Sequence, residues 1–220
     1  MFNIIIMGFS NSMNDNANCI TNAELKCGPR EYVQYNDKGN IAYYFKPRRD
    51  FIRHIIIVYD MYQKEIGSIE RLMGCALLTY NFYDEFKTMK YYIEERKNCC
   101  TINYSFYGED KNLISSITAK FGCCDIIFDE FDKYNTKTNG ANGKRECSGN
   151  TTFYEHDPNG SPIFIIRQTY GCDFYKFKVY DQNEKEINFS DRTLFNNGFT
   201  NIQKILILLT LFQNNPQQNT

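Results

Sequence analysis

Residues 200–213, TNIQKILILLTLFQ, decide how this chain is read. A helix that crosses the hydrocarbon of a bilayer needs about 20 mostly apolar residues. The apolar run from Ile202 to Phe212 is much shorter, carries Gln203, Lys204 and Thr210, and is followed at once by the polar QNNPQQNT. Gly198 interrupts what precedes it, and Thr200 with Gln203 three residues later has the form of a capping box. From Ile205 to Phe212 apolar residues occupy every side of the helix, which must therefore lie in lipid or in a protein core. Its length selects the core, so the sequence predicts a short, fully buried helix at the end of the chain.

The rest of the chain has the material to bury it. Of 220 residues 42% are hydrophobic and 16% aromatic, with 17 Tyr, 18 Phe, no Trp and five Pro, which excludes global disorder. The 25 basic and 26 acidic residues are mixed along the chain to a net charge of −1, giving no basic nucleic-acid surface and no acidic tail. Met1 to Phe9 is apolar but lacks a basic start and a small-residue cleavage site, so no secretory signal is expected. The nine cysteines are then read as free thiols in a reducing compartment, and the Asn-x-Ser/Thr sites at Asn103, Asn150 and Asn188 as unglycosylated.

A duplication organises the middle. Val58–Ile66 reads VYDMYQKEI and Val179–Ile187 reads VYDQNEKEI, an offset of 121 residues (179 − 58). The same offset relates NDKGNI at Asn36–Ile41 to DPNGSPI at Asp157–Ile163, both turn chemistry with Gly free to take positive φ. Each half reads as strand, turn, strand, loop, strand, turn, strand. Between them KYYIEERK, CCTINYSFYG, NLISSITAKFG and CDIIFDEF also read as strands, whereas the polar run Asn135–Ser148 reads as a flexible surface loop. The expectation is a mainly β protein, a closed antiparallel barrel of two related halves around the terminal helix, since closure also removes exposed edges. Residues 1–30 read as a polar N-terminal segment, 31–213 as the domain and 214–220 as a polar tail.

The order of these motifs resembles the phospholipid scramblase family. VYDMYQKEIGSIERLMGC is similar to a signature in which an Asp turn, a Lys-Glu-Val strand and a Leu-Glu-Arg-Pro-Leu-Arg-Cys segment follow one another; Ile69, Glu70, Arg71 and Cys75 carry the match. Gly122, Cys123, Cys124, Asp125 and Phe128 match a Gly-Pro-Cys and Gly-Asp-Val strand region, and Tyr170 and Gly171 a Trp-x-Gly strand. The resemblance covers 31–212. It implies a tubby-like fold, calcium-dependent and energy-independent movement of phospholipids between leaflets, and attachment to the cytosolic face of the plasma membrane through palmitoylated cysteines. The alternative is a non-catalytic tubby-like module that binds lipid headgroups or a protein partner. A hydrolytic enzyme has no supporting constellation.

The resemblance also names candidate sites. Asp181 and Asn183 match the first two ligands of the family's calcium segment, although Lys185 and Arg192 stand where oxygen ligands are wanted; the same Asp can simply start a turn, as Asp60 can in the first half. Cys99, Cys100, Cys123 and Cys124 are palmitoylation candidates if exposed, while their strand-end positions read as core. KPRRDFIRH, residues 46–54, reads as a basic loop that could meet anionic headgroups through Lys46, Arg48, Arg49 and Arg53. No zinc site is expected, because no Cys-x-x-Cys pair exists and only His54 and His156 are available. The DEFD run, Asp129–Asp132, could pair carboxylates on one strand face.

Overall fold

The computed structural model describes residues 4–7, 31–35, 40–49, 53–74, 77–170, 174–187, 194–195 and 198–213. Alternating apolar and polar residues separated by tight turns dictate consecutive antiparallel strands. They run as β1 (Ile4–Met7), β2 (Glu31–Tyr35), β3 (Ile41–Arg49), β4 (His54–Asp60), β5 (Glu65–Met73), β6 (Leu77–Asp84), β7 (Met89–Lys97), β8 (Thr101–Gly108), β9 (Leu113–Phe121), β10 (Asp125–Asp132), β11 (Lys137–Arg145), β12 (Thr151–His156), β13 (Pro162–Tyr170) and β14 (Phe174–Asp181), followed by α1 (Asn201–Gln213). From β2 to β14 each strand pairs with the next in sequence. These thirteen strands form one antiparallel sheet.

The closed barrel expected from the sequence needs a correction at its seam. No ladder joins β2 to β14, so the thirteen-strand sheet does not close on itself. Its two edges are linked only through four-residue β1, which places Ile4 opposite both Phe177 and Gln34. That strand falls within the segment 1–30.

The two-halves expectation is also corrected, to a finer period. Turns of one geometry begin at Asp60, Asp84, Gly108, Asp132, Asp157 and Asp181, where the first residue's N–H meets the fifth residue's carbonyl and the fourth residue's N–H meets the first residue's carbonyl. The fourth residue takes positive φ in all six, from 59° at Glu184 to 83° at Gly160. The strand pairing slips by one residue just before each of the first five turns, as expected for three-residue hairpin loops ending in a left-handed residue. In five turns one Asp oxygen accepts two backbone N–H groups, as Asp60 Oδ1 does from Tyr62 and Lys64. The turns therefore recur every 24 or 25 residues, and the 121-residue duplication is five hairpins long rather than half a protein.

Asn135–Ser148 is not a loop. Residues 137–145 form β11, paired on both sides. Its glycines earn their place sterically: a Cβ on Gly143 would sit 2.3 Å from the Phe153 ring, and one on Gly140 would sit 2.5 Å from the His156 ring. Aromatic rings from β12 cover a strand that has little side chain of its own.

The core is the space between sheet and helix. Ile202, Ile205, Leu206, Ile207, Leu208, Leu211 and Phe212 are all buried, each fully buried side chain contributing roughly 1.5–3 kcal/mol. The helix is held from strands spread across the sheet. Tyr32 OH donates to the Leu211 carbonyl at 3.1 Å, Phe212 packs on Tyr80 with ring centroids 5.5 Å apart, and the Arg71 guanidinium lies 5.7 Å from the Phe212 ring. At the other end Asn201 Nδ2 donates to Glu130 and Ser115, Gln203 Nε2 donates to Glu155 Oε2 at 3.1 Å, and Lys204 lies over Tyr91. The capping box is present: Gln203 N donates to Thr200 Oγ1 at 3.2 Å, and Thr200 N to Gln203 Oε1 at 3.4 Å. No described helix is long and apolar enough to cross a membrane.

Candidate functional site

A shallow, open groove lies on the outer wall of β3 to β6. Side chains on the outward face line up across the ladder, Arg48 opposite Ile55, Ile57 opposite Ser68, and Ser68 opposite Tyr83. The resulting groove has a volume of about 290 Å³, an apolar floor of Ile55 and Ile57, and a polar lip of Arg48, Arg53, Glu70 and Lys87. Ser68 and Glu70 are buried although they face outward.

Charge in the groove is partly committed. Arg53 Nη1 meets Glu70 Oε1 at 3.0 Å, and Tyr83 OH donates to Glu70 Oε2 at 3.3 Å. Burial and the adjacent Glu70 raise the Tyr83 pKa, so its proton stays. Lys87 pairs with Glu65. Lys46 sits beside the groove rather than in it, donating to Gln63 Oε1 at 3.0 Å and lying over the rings of Tyr44 and Tyr59. Arg48 is exposed and makes no hydrogen bond or ion pair with a described residue. The side chain of Arg49 lies outside the described residues.

The basic loop expected over 46–54 is therefore a correction in form: Lys46 and Arg48 stand on β3, and β4 begins at His54. Strand pairing turns a linear basic run into one wall of a groove whose other residues come from β5 and β6. No local signal marked Ser68, Tyr83 or Lys87, and Glu70 entered the sequence reading only through the scramblase-like motif.

The core expectation for the paired cysteines is also overturned. Cys99, Cys100, Cys123 and Cys124 are exposed, as is Cys147. Cys99–Cys100 and Cys123–Cys124 are the central residues of two-residue hairpin turns, closed by Asn98 N to Thr101 O and Gly122 N to Asp125 O. A loop of that length has no inward face on which to bury a side chain. These turns alternate with the Asp turns, so all five thiols lie at one end of the sheet. Cys75 continues the spacing in sequence but lies outside the described residues.

Asp181 has the same place as Asp60, Asp84, Asp132 and Asp157: its Oδ1 accepts the N–H groups of Asn183 and Lys185. Asn183 is a turn residue, and Arg192 lies outside the described residues. No cluster of three His, Cys, Asp or Glu placed to hold a metal occurs among the described residues. The DEFD carboxylates are separated: Asp129 faces out to Lys120 and Lys137, which hold its pKa below the usual carboxylate range, Glu130 faces in to Asn201, and Asp132 caps a turn.

One interior group escaped sequence reasoning altogether. Glu155 is fully buried, and burial pushes its pKa up to about 7 against the hydrogen bonds it receives at the start of α1. No model of a known protein family matches the chain and no curated protein matches it, so the resemblance to scramblases rests on the quoted motifs alone.

Proposed function

We propose that the chain is a non-enzymatic lipid-surface module whose β3–β6 groove takes an anionic, phosphorylated headgroup at a cytosolic membrane face. The observation that carries this is Arg48, an uncommitted guanidinium on the lip of a groove with an aliphatic floor. A guanidinium matches a phosphate bidentately, Tyr83 adds a hydroxyl, and Ile55 and Ile57 receive the apolar shoulder of the lipid. Exposed Cys99, Cys100, Cys123 and Cys124 are open to S-acylation, which would tether the module. Transbilayer movement of phospholipid is the stronger form of the reading and rests on the motif order; calcium enters it only through Asp181 and Asn183, whose turn role does not require the ion.

Flotation with vesicles carrying an anionic phospholipid tests the groove. Arg48→Glu should weaken binding by about 2 kcal/mol, roughly thirty-fold, since each cation near a charged surface contributes about 1 kcal/mol. Unchanged binding refutes the site. A labelled-lipid exchange assay with and without calcium then separates the two forms: acceleration supports scrambling, and binding without acceleration leaves the headgroup module.

A further inference from the structure

The hairpin turns at the end opposite the Asp turns carry five exposed thiols, Cys99, Cys100, Cys123, Cys124 and Cys147, and strand pairing fixes which of them are neighbours. The β8–β9 ladder sets Thr101 opposite Lys120 and runs one step further into the turn, where Phe121 N donates to the Cys100 carbonyl at 3.5 Å. The β10–β11 ladder sets Asp125 opposite Lys144 and does the same, Arg145 N donating to the Cys124 carbonyl at 2.9 Å. Residues opposite one another share a face of the sheet, as do residues two apart on one strand. Cys123 stands two residues past Phe121, and Cys147 two past Arg145. Each is therefore the diagonal neighbour of a cysteine on the adjoining turn, Cys123 of Cys100 and Cys147 of Cys124. The two pairs are related by 24 residues (124 − 100 and 147 − 123), the period of the Asp turns. Cys99, by the same register, falls opposite Gly122 and has no thiol across from it.

We propose that these turns are a redox site in which Cys100 with Cys123, and Cys124 with Cys147, close as two disulfides when oxidised by a peroxide. Diagonal neighbours across a ladder lie about 7–8 Å apart between Cα atoms, against roughly 4.4–6.8 Å in a disulfide, so each closure needs a shift of about 1–2 Å. That shift falls on exposed turn residues rather than on the packed core. Bridging Cys99 to Cys100, or Cys123 to Cys124, meets the opposite obstacle, because a trans peptide holds adjacent Cα atoms at about 3.8 Å. In the first step one thiolate attacks the peroxide: an S–O bond forms, the O–O bond breaks and hydroxide leaves, giving a sulfenic acid. The partner sulfur then attacks that sulfur; the S–S bond forms, the S–O bond breaks, and water leaves with the partner's proton. The two sulfurs lose two electrons and the peroxide gains them. A thiol reductant reopens both bonds by exchange, as suits a transient switch in a reducing compartment. Oxidation withdraws Cys100, Cys123 and Cys124 from S-acylation, but the pairing follows from the register and does not rest on the lipid reading.

Disulfide mapping of the full chain tests it. The reduced, folded protein is exposed to hydrogen peroxide at neutral pH, remaining thiols are alkylated, and tryptic peptides are read by mass spectrometry. Cleavage places Cys99 and Cys100 in 98–111, Cys123 and Cys124 in 121–133, and Cys147 in 146–167. Wild type should join all three peptides in one species with Cys99 alkylated, and should run as a monomer on a non-reducing gel. Cys100→Ser should lose the link between 98–111 and 121–133 and keep that between 121–133 and 146–167. Cys124→Ser should do the reverse, and Cys99→Ser should change neither. Far-ultraviolet circular dichroism confirms that each variant is folded. Oxidation in denaturing urea, where the register is gone, should scramble the pairs. Vicinal bridges, a 98–111 link that survives Cys100→Ser, links to Cys19, Cys27, Cys75 or Cys172, native pairing no different from that in urea, bridges only between molecules, or thiols left unbridged overturn the proposal.

Discussion

Replacing Glu155 by Gln should remove a pH dependence of stability that wild type carries between about pH 4.5 and pH 7. The side chain is fully buried with Oε2 held by Gln203 and Oε1 without a partner, and its pKa is raised from 4.5 to about 7, chiefly by burial. A group whose folded pKa is raised adds stability that is fully present below its unfolded pKa and lost as pH rises through the folded value. At about 1.36 kcal/mol per unit, a shift of roughly 2.5 units corresponds to about 3 kcal/mol. Glutamine keeps the shape and the acceptor for Gln203 but cannot ionise. Glu155→Gln should therefore match wild type near pH 4.5 and exceed it by about 3 kcal/mol near pH 8. Urea unfolding followed by circular dichroism across this range gives the number. Carboxylates with lowered pKa, such as Asp84, Asp110 and Asp129, change stability on the acid side in both proteins and cancel in the difference. A difference that stays flat from pH 4.5 to 8, or one that favours wild type at high pH, refutes the account of a carboxyl sealed beneath the helix.

Three further perturbations address the wall and the helix. Gly143→Ala puts a methyl group against the buried Phe153 ring and should cost about 1–3 kcal/mol by overpacking, read as a lowered urea midpoint with an unchanged slope. Lys111→Gly should stabilise by roughly 0.5–1 kcal/mol, because Lys111 holds φ near 61° in a turn where Gly160 serves the same role without strain; a lower thermal midpoint contradicts it. Thr200→Ala removes the cap on Gln203 N and should cost about 1 kcal/mol, measured by the same unfolding curve.

Features determined by neighbours in the chain were legible in the sequence. The capping box and the all-round apolar helix involve residues within a few positions of one another, and the structure has both. The strands from β7 to β10 were legible for the same reason, since β-branched and aromatic runs between turn residues form half-buried strands whatever their partners. β11 was hidden because Lys137–Arg145 contains no β-branched residue beyond Thr138; it is a strand because the rings of Phe153 and His156 on the next strand fill the space over its glycines. The 24-residue period was obscured where Gly108 stands in place of the Asp and where the turn at Asp157 comes one residue late. In the groove, Arg48 and Arg53 announced themselves by charge, but Ser68, Glu70 and Tyr83 reach it only through strand pairing. The cysteines were misplaced because a strand-end position says nothing of whether a two-residue turn follows.

The central claim is that 202–212 form a pin inside the sheet, and amide hydrogen exchange of this segment tests it most directly. Protection equal to that of β6 to β10, in water and without lipid, is the result predicted. Exchange as fast as in the exposed turns, or protection that emerges only when vesicles are added, would contradict it.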